Sequence, residues 1–401
     1  MFVVVKFVLA MGVLFPPAFF MGGTLPVMSQ HLVRHPETLG RTTSALYAVN
    51  TFGAALGAYT AGFHLPPLLG FTKAYLLKVN NFYAVGGTGV LKLEPRQADV
   101  PLMIHPQPRS VFFLGMGTGI TAGAALAYPV ERVVVCELIP EVVAAARTYF
   151  QPYVNGLFDE ARVTIVVEDG RNYLRGTTEH FDVVIADLFL PWRVGVGSLY
   201  TREHFAAVRA RLREGGLFAQ WLPLYQMSRD EFGIIARTML EVFPLVTLWR
   251  GDFLAKRSIV MLVGHADDTP FAPHKLFRVD DIPFTAQYAG NLTAARHLLN
   301  DYPLNTDDRP LVEYRAPITH RRQRAKVASW FVGDELIDFM DALLQAVPPE
   351  RDAYLQKLPE REFMFVRAGL ILHRAGVLKE AGHRAAAAEA LALYKRAVAG
   401  Y

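Results

Sequence analysis

A glycine-rich turn between an apolar run and a helical segment constrains the fold of this chain more than any other feature. The run Val111-Phe112-Phe113-Leu114 leads directly into Gly115-Met116-Gly117-Thr118-Gly119 and then into the helix-like Ile120–Leu126. This order of strand, glycine turn and helix is typical of the first βα unit of a doubly wound sheet, in which backbone N–H groups approach a nucleoside closely.

Three further predicted strands end in acidic residues. The strand ends and their acids are Cys136 with Glu137, Val167 with Glu168 and Asp169, and Ala186 with Asp187. Since ligands of open α/β sheets bind outside the carboxyl ends of the strands, we expect Glu137, Asp169 and Asp187 to converge with the glycine turn on one site. The alternative for any single acid is that it caps the next helix.

The remaining strands complete a seven-stranded, methyltransferase-like (Rossmann-type) α/β sheet. They are Leu217–Leu222, Leu245–Trp249 and Ser258–Val263. The loop after Asp187 is rich in proline and glycine, so we expect it to cover the crevice and to carry substrate contacts. Its candidate residues for a substrate pocket are Leu190, Trp192 and Tyr200.

The composition points to a membrane segment at the start of the chain. Of its 401 residues 52% are hydrophobic, the mean hydropathy is +0.21, and the excess lies before residue 70. The apolar run Phe2–Phe20 is just long enough to span a bilayer, and Gly53, Gly57 and Ala61 show the small-residue spacing of packed membrane helices. The alternatives are a signal peptide for the first segment and a glycine-rich buried helix for the second.

The two predicted transmembrane helices indicate a protein of the inner (cytoplasmic) membrane that contacts membrane lipid. A nucleoside-dependent catalytic domain is expected in the cytoplasm. Charged residues on both sides of the second helix, such as Arg41 and Lys73, leave the orientation of the two helices open.

Charge and cysteine content exclude other classes. The net charge is only +4 and the basic residues are dispersed except around Arg321–Lys326, so we expect no nucleic-acid partner. Cys136 is the only cysteine, which excludes disulfides within the chain. His and Cys residues do not cluster at metal-ligand spacing, and no metal site is predicted.

The sequence divides into four predicted regions: residues 1–70 with the membrane helices, residues 71–100 with a β-hairpin, the Rossmann-type domain of residues 101–317, and a helical extension of residues 318–401. The hairpin is expected from Tyr75–Val79 and Val90–Leu93, which flank turn-forming residues. Asn305–Tyr314 follows the last core strand and is interpreted as a structural return segment.

Residues 98–264 resemble the polyamine aminopropyltransferases, the spermidine and spermine synthases. The motifs that carry the resemblance are Leu102–Pro108, Gly115–Gly119, Cys136–Leu138, Glu168–Leu174, Phe181–Asp187 and Ser198–Glu203. Two earlier stretches, Met21–Pro26 and Tyr47–Gly57, are similar to a membrane-embedded branch of this family, of which the chain resembles a shortened version.

The resemblance implies a transferase that moves an aminopropyl group from decarboxylated S-adenosylmethionine to an amine, putrescine or another. It implies that Glu137 binds the ribose, that Asp169 with Gly170 binds the adenine, and that Asp187 accepts a proton from the attacking amine. Gly115, Gly117 and Gly119 would form the nucleoside-binding turn. Soluble members of the family commonly pair, so a homodimer is a possible assembly.

Three positions depart from the family pattern. Thr118 stands where an aspartate normally holds the aminopropyl ammonium, Leu190 stands where the following loop normally offers a second aspartate, and no tyrosine is found near Leu93. A polyamine pocket needs carboxylates, because each desolvated ammonium left unpaired costs several kcal/mol. Two alternatives therefore stay open: a methyltransferase that uses intact S-adenosylmethionine, and a non-catalytic nucleoside-binding membrane protein.

Overall fold

The computed structural model describes residues 91–251, 255–271 and 282–399. It also describes residues 76–79, 83–87 and 278–279, and parts of a helical segment between residues 44 and 59. Contacts divide the chain into two units, Met1–Ala74 and Tyr75–Tyr401. All the predicted site residues belong to the second unit.

The second unit is built on a sheet of eight strands, flanked by two small hairpins. The strands in chain order are β1 (Leu76–Val79), β2 (Tyr83–Gly87), β3 (Ser110–Leu114), β4 (Arg132–Glu137), β5 (Val163–Val167), β6 (Phe181–Ala186), β7 (Leu212–Pro223), β8 (Leu245–Arg250), β9 (Ile259–His265), β10 (Arg278–Val279), β11 (Ile282–Pro283) and β12 (Tyr288–Asn291). The order across the large sheet is β12-β8-β9-β7-β6-β3-β4-β5. Strands β5, β4, β3, β6 and β7 are parallel, and β9, β8 and β12 are antiparallel to their neighbours.

This topology places the reversal of strand order between β3 and β6. From β3 the chain proceeds outward through β4 and β5, and then returns to the other side of β3 with β6 and β7. The loops that leave the carboxyl ends of β3 and β6 must therefore diverge, which opens a crevice between them. The predicted doubly wound α/β fold is thus confirmed for this part of the chain.

Two details of the strands differ from the sequence prediction. The sheet has eight strands rather than seven, because β12 adds to the edge of β8 with Asn291 opposite Thr247. The hairpin before the sheet is present, but β1 pairs with Tyr83–Gly87, and residues 91–95 form turns instead of the predicted second strand. The turn has a consequence for the site, because it brings Glu94 to the glycine turn of β3.

Helices cover both faces of the sheet. They are α1 (Arg96–Ile104), α2 (Ile120–Ala124), α3 (Pro140–Tyr149), α4 (Gly170–Gly176), α5 (Arg202–Arg209), α6 (Arg229–Val242), α7 (Leu311–Arg324), α8 (Asp334–Ala346), α9 (Glu360–Ala381) and α10 (Arg384–Val398). Alternation along β3 directs Val111 and Phe113 into the core with α1 to α3, and Phe112 and Leu114 into the core with α4 to α7. Each fully buried phenylalanine contributes about 1.5–3 kcal/mol through the apolar surface it removes from water.

The predicted N-terminal transmembrane helices are contradicted. In the part of the chain that the structure describes, no helix is both long and apolar enough to cross a membrane. Helix α9 has 22 residues but carries charged side chains such as Glu362, Arg367 and Lys379.

The apolar run Phe2–Phe20, and Gly57 and Ala61 of the second predicted span, lie outside the described residues. The prediction of a membrane location depended on these spans, and the same finding corrects it. Contact with membrane lipid stays a prediction from the sequence.

Candidate active site

The crevice at the reversal of strand order brings the first glycine of the turn next to Asp187. Leu114 and Ala186 are paired in the parallel register of β3 and β6, so the residues that follow them, Gly115 and Asp187, are neighbours. A Cβ atom placed on Gly115 would lie 3.9 Å from Cβ of Asp187 and 3.3 Å from the ring of Phe189. The backbone of the turn therefore passes so close to the next loop that a side chain at position 115 would press against the ring of Phe189.

The glycine turn adopts a backbone that other residues rarely tolerate. Gly115, Gly117 and Gly119 have φ values of +92°, +56° and +83°, in the left-handed region. The turn closes with a hydrogen bond of 2.9 Å from the N–H of Gly119 to the carbonyl of Met116. These three residues are the ones predicted from sequence to form the nucleoside-binding turn.

Glu137 at the end of β4 holds the glycine turn from the side. Its Oε2 accepts hydrogen bonds of 3.1 Å from the N–H groups of Met116 and Gly117, and its Oε1 accepts one of 3.1 Å from the N–H of Ile139. The side chain is buried, at 9% exposed. Glu137 therefore positions the turn, in addition to the ribose contact that the sequence predicts for it.

Asp169 follows β5 and caps helix α4. Its Oδ1 accepts hydrogen bonds from the N–H groups of Arg171 at 2.8 Å and Asn172 at 3.2 Å. The capping alternative considered from sequence thus describes what this carboxylate does here. Gly170 packs closely against β3, because a Cβ atom on it would lie 3.0 Å from Cγ of Leu114. Both residues sit at the same sheet edge as Glu137, one strand further out.

Asp187 is half-buried at the centre of this edge. Its Oδ1 accepts a hydrogen bond of 2.7 Å from the N–H of Leu188. Burial raises the pKa of Asp187 from 3.8 to about 6; the bond from Leu188 opposes the shift, and repulsion from Glu137 adds to it. A carboxylate of this pKa is ionised at neutral pH yet basic enough to take a proton from a bound group.

Thr118 does not point to solvent but contacts a carboxylate that the sequence prediction missed. Its hydroxyl donates a hydrogen bond of 2.9 Å to Oε2 of Glu94, which lies in the turn before α1. Oε1 of Glu94 accepts a longer bond of 3.4 Å from the N–H of Gly87. Burial raises the pKa of Glu94 from 4.5 to about 7; the Thr118 hydrogen bond opposes this, and repulsion from Asp187 adds to it.

The three candidate residues in the loop after Asp187 have different surroundings. Trp192 is partly exposed, stacks on His320 of α7 at 4.1 Å between ring centroids, and donates from Nε1 to Gln226. Tyr200 is fully buried and donates from its hydroxyl to the carbonyl of Phe189 over 3.0 Å, which anchors the loop from beneath. Leu190 is half-buried and accepts a bond at its carbonyl from the N–H of Arg193.

The segment interpreted from sequence as a structural return also holds this loop. Glu313 accepts hydrogen bonds from the N–H groups of Gly195 at 2.7 Å and Gly197 at 2.8 Å, one at each carboxylate oxygen. Buried Asn305 donates to the carbonyl of Gly197, and Asp307 pairs with Arg171 of α4 at 2.6 Å. A single segment therefore ties the loop after β6 to the helix capped by Asp169.

Among the residues that the structure describes, no group of three or more His, Cys, Asp and Glu side chains is arranged to hold a metal ion. The acids of the crevice are dispersed around the glycine turn and are engaged by backbone N–H groups and a hydroxyl.

The strand order and the position of the crevice together define a domain of the doubly wound, methyltransferase-like α/β class. Within this class, residues 97–248 match the family described as Spermine/spermidine synthase domain. This part of the chain is therefore similar to that family.

Two curated relatives are also similar to part of the chain. The chain is 34% identical over 163 residues to a polyamine aminopropyltransferase of Nitrosomonas europaea, a stretch that covers 37% of this chain and 50% of that protein. It is also 34% identical over 157 residues to a polyamine aminopropyltransferase of Thermotoga maritima, covering 38% and 52% respectively. The chain thus spans about half the length of the curated relatives it matches.

A solved structure, spermidine synthase from Thermotoga maritima, aligns with 49% of this chain and 68% of its own, at 25% identity and a TM-score of 0.41.

Proposed function

We propose that this chain is an aminopropyltransferase that moves the aminopropyl group of decarboxylated S-adenosylmethionine to an amine such as putrescine. The observation that carries the proposal is Asp187, a half-buried carboxylate of raised pKa beside Gly115 at the reversal of strand order. Support comes from the family match of residues 97–248, which contains the glycine turn and all the acids at the strand ends.

In this proposal the acids of the crevice divide the work between binding and catalysis. Glu137 hydrogen-bonds the ribose hydroxyls and keeps the glycine turn against the nucleoside. Asp169 and Gly170 contact the adenine from the start of α4. Asp187 faces the acceptor amine, which at neutral pH is protonated and cannot attack until a base removes a proton.

The proposed step is a displacement with Asp187 as the base. Asp187 takes a proton from the acceptor ammonium, and the freed nitrogen lone pair forms a bond to the aminopropyl carbon next to sulfur. The carbon–sulfur bond breaks, its electron pair stays on sulfur, and the sulfonium becomes the neutral thioether methylthioadenosine. Holding both reactants in the crevice supplies orientation, which is a large part of the rate enhancement in such transfers.

The proposal is tested by incubating the full chain with decarboxylated S-adenosylmethionine and a panel of di- and polyamines. Formation of methylthioadenosine together with an aminopropylated amine supports it. The Asp187→Asn variant should bind methylthioadenosine as the wild type does and form product at least about 100-fold more slowly. Transfer of a methyl group from intact S-adenosylmethionine, with no aminopropyl transfer, would contradict it. Pairing into a homodimer stays a prediction from the resemblance, to be measured by sedimentation.

A further inference from the structure

Glu94 occupies the crevice from outside the segment that matches the family. It lies three residues before residue 97, where the match begins, in the turn that leads into α1. Its carboxylate reaches the glycine turn through the hydroxyl of Thr118, and its backbone carbonyl accepts a hydrogen bond of 3.3 Å from the hydroxyl of Thr121 in α2. Two threonines thus hold one residue against the start of α2.

The carboxylate of Glu94 is held in place by close packing. A Cβ atom placed on Gly86 of β2 would lie 2.5 Å from Oε1 of Glu94 and 2.7 Å from Cγ2 of Thr118. Strand β2 therefore passes so close to both side chains that a larger residue at position 86 would displace them. Because Thr118 bonds Oε2 and Gly87 approaches Oε1, each oxygen keeps a lone pair for one more donor.

The crevice has negative charge that the described residues do not neutralise. Among them, no lysine or arginine forms an ion pair with Glu94, Glu137 or Asp187. Repulsion from Asp187 contributes to the raised pKa of Glu94, and repulsion from Glu137 contributes to the raised pKa of Asp187. Burying carboxylates without a cation costs free energy, which a positively charged ligand recovers when it binds.

We propose that Glu94 binds a primary ammonium group of the substrate. Thr118 is the residue that positions this carboxylate. This inference rests on the proposed function and specifies it further, because it assigns the binding of substrate charge to a residue on the turn before α1. The glycine turn itself then needs no acid at position 118.

The ammonium has two possible sources, which share the same chemistry. One is the amine at the end of the aminopropyl chain of the donor, and the other is an amine of the acceptor. Both end in a primary ammonium that donates up to three hydrogen bonds, and both lie near the base in the proposed step. Ligands that contain only one of the two distinguish the sources.

The experiment is calorimetric binding to the full chain with three probes. Methylthioadenosine is neutral, S-adenosyl-3-thiopropylamine is a comparable thioether that bears the primary ammonium of the donor, and putrescine is added to protein already saturated with methylthioadenosine. For Glu94→Gln we expect methylthioadenosine to bind within about twofold of wild type, and one ammonium probe to bind about 10- to 100-fold more weakly. Weakening of the thioether assigns the donor, and weakening of putrescine assigns the acceptor.

The matched control is Asp99→Asn, the same carboxylate-to-amide change in α1, where Asp99 accepts a hydrogen bond from Tyr128. This variant should bind all three probes within about twofold of the wild-type affinity. Glu94→Asp retains the charge and should recover part of the ammonium preference, so it separates charge from packing should the amide variant fail to fold.

The results of these binding experiments distinguish a wrong role for Glu94 from a wrong proposed function. If the wild type and Glu94→Gln bind both ammonium probes equally well, and the protein still transfers aminopropyl groups, then Glu94 does not bind the ammonium. The proposed function stands in that case. Absence of binding of all three probes to the wild type overturns the proposed function, and the inference with it.

Discussion

The hydroxyl of Thr118 donates a hydrogen bond of 2.9 Å to Oε2 of Glu94, and this bond joins the glycine turn to a residue 24 positions earlier in the chain. Where the sequence suggested a missing acid, the structure places an acid from another segment. The family pattern and this chain therefore differ in where a carboxylate is attached, while one is still present beside the turn. The consequences of this arrangement are measurable.

The pH dependence of the proposed reaction should show two ionisations. Both carboxylates must be ionised to act, and burial raises their pKa to about 7 for Glu94 and about 6 for Asp187. With amine saturating, kcat/KM for the donor should fall as the pH is lowered first through 7 and then through 6. In Glu94→Gln the upper ionisation should disappear and the lower one persist. An unchanged profile in this variant would argue against an ionised Glu94 in catalysis.

The stability of the ligand-free protein should also depend on Glu94. Its pKa is raised from 4.5 to about 7, so the folded state holds the proton more tightly than the unfolded state. The stability that this proton contributes is present below pH 4.5 and is lost as the pH rises through 7. Glu94→Gln should therefore raise the melting temperature by about 1–3 °C more at pH 8 than at pH 5.

Differential scanning calorimetry at the two pH values measures this effect. Asp99→Asn serves again as the control and should show no comparable difference. A larger gain at pH 5 than at pH 8 would contradict the assigned direction of the shift.

Removing the side chain of Glu313 should affect turnover more than nucleoside binding. The change Glu313→Ala deletes both acceptors of the loop N–H groups at Gly195 and Gly197. The loop that follows Asp187 would lose these two hydrogen bonds to α7 and keep the stacking of Trp192 on His320. Misplacement of reacting groups is costly, so we expect kcat to fall about 10-fold or more. The affinity for methylthioadenosine should stay within about twofold.

A matched control for this variant is Glu241→Ala, which removes a surface pair with Arg237 in α6. Exposed pairs of this kind contribute about 0–1 kcal/mol, and activity should not change. A fall in methylthioadenosine affinity equal to the fall in kcat would indicate that Glu313 supports the whole crevice rather than the loop.

The substitution Gly115→Ala should strain the backbone and also introduce a side chain into the nucleoside-binding turn. Gly115 has φ +92°, and its new Cβ would lie 3.3 Å from the ring of Phe189. Gly195→Ala is the matched control, because Gly195 has φ +86° with no atom within 4 Å of the added Cβ. Both variants should lose about 1–2 kcal/mol of unfolding free energy, measured by urea denaturation. Only Gly115→Ala should also weaken methylthioadenosine binding, and equal effects of the two on binding would contradict a specific role for position 115.

The fold was largely readable from sequence because its strands are short apolar runs with recognisable ends. Each of β3, β4, β5 and β6 was predicted within a residue or two of its observed bounds. β12 was missed, since Tyr288–Asn291 is too short and mixed in character to be read as a strand. Only the open edge of β8, which offers unpaired backbone groups, makes it one.

The residues of the site also fall into two groups, those that local sequence predicts and those that it does not. The site residues at the strand ends are Gly115, Glu137, Asp169 and Asp187. Each lies at the end of a strand or within two residues of it, so the parallel register of the sheet brings them to one edge, and local sequence was enough to group them. Glu94 and Glu313 carry no such mark. Glu94 belongs to the turn before α1, and Glu313 belongs to a helix after the last core strand. The contact of Glu313 with Gly195 joins residues 118 positions apart.

Local residue patterns thus predict the strands, the glycine turn and the acids at the strand ends, because those depend on neighbouring residues and on the two-residue period of the sheet. The tertiary structure decided which distant side chains complete the crevice. It brings the carboxylate of Glu94 to Thr118 and that of Glu313 to Gly195 and Gly197, because the packing of the turn before α1 and of helix α7 against the sheet sets those distances. Local residue patterns contain no information about such long-range contacts.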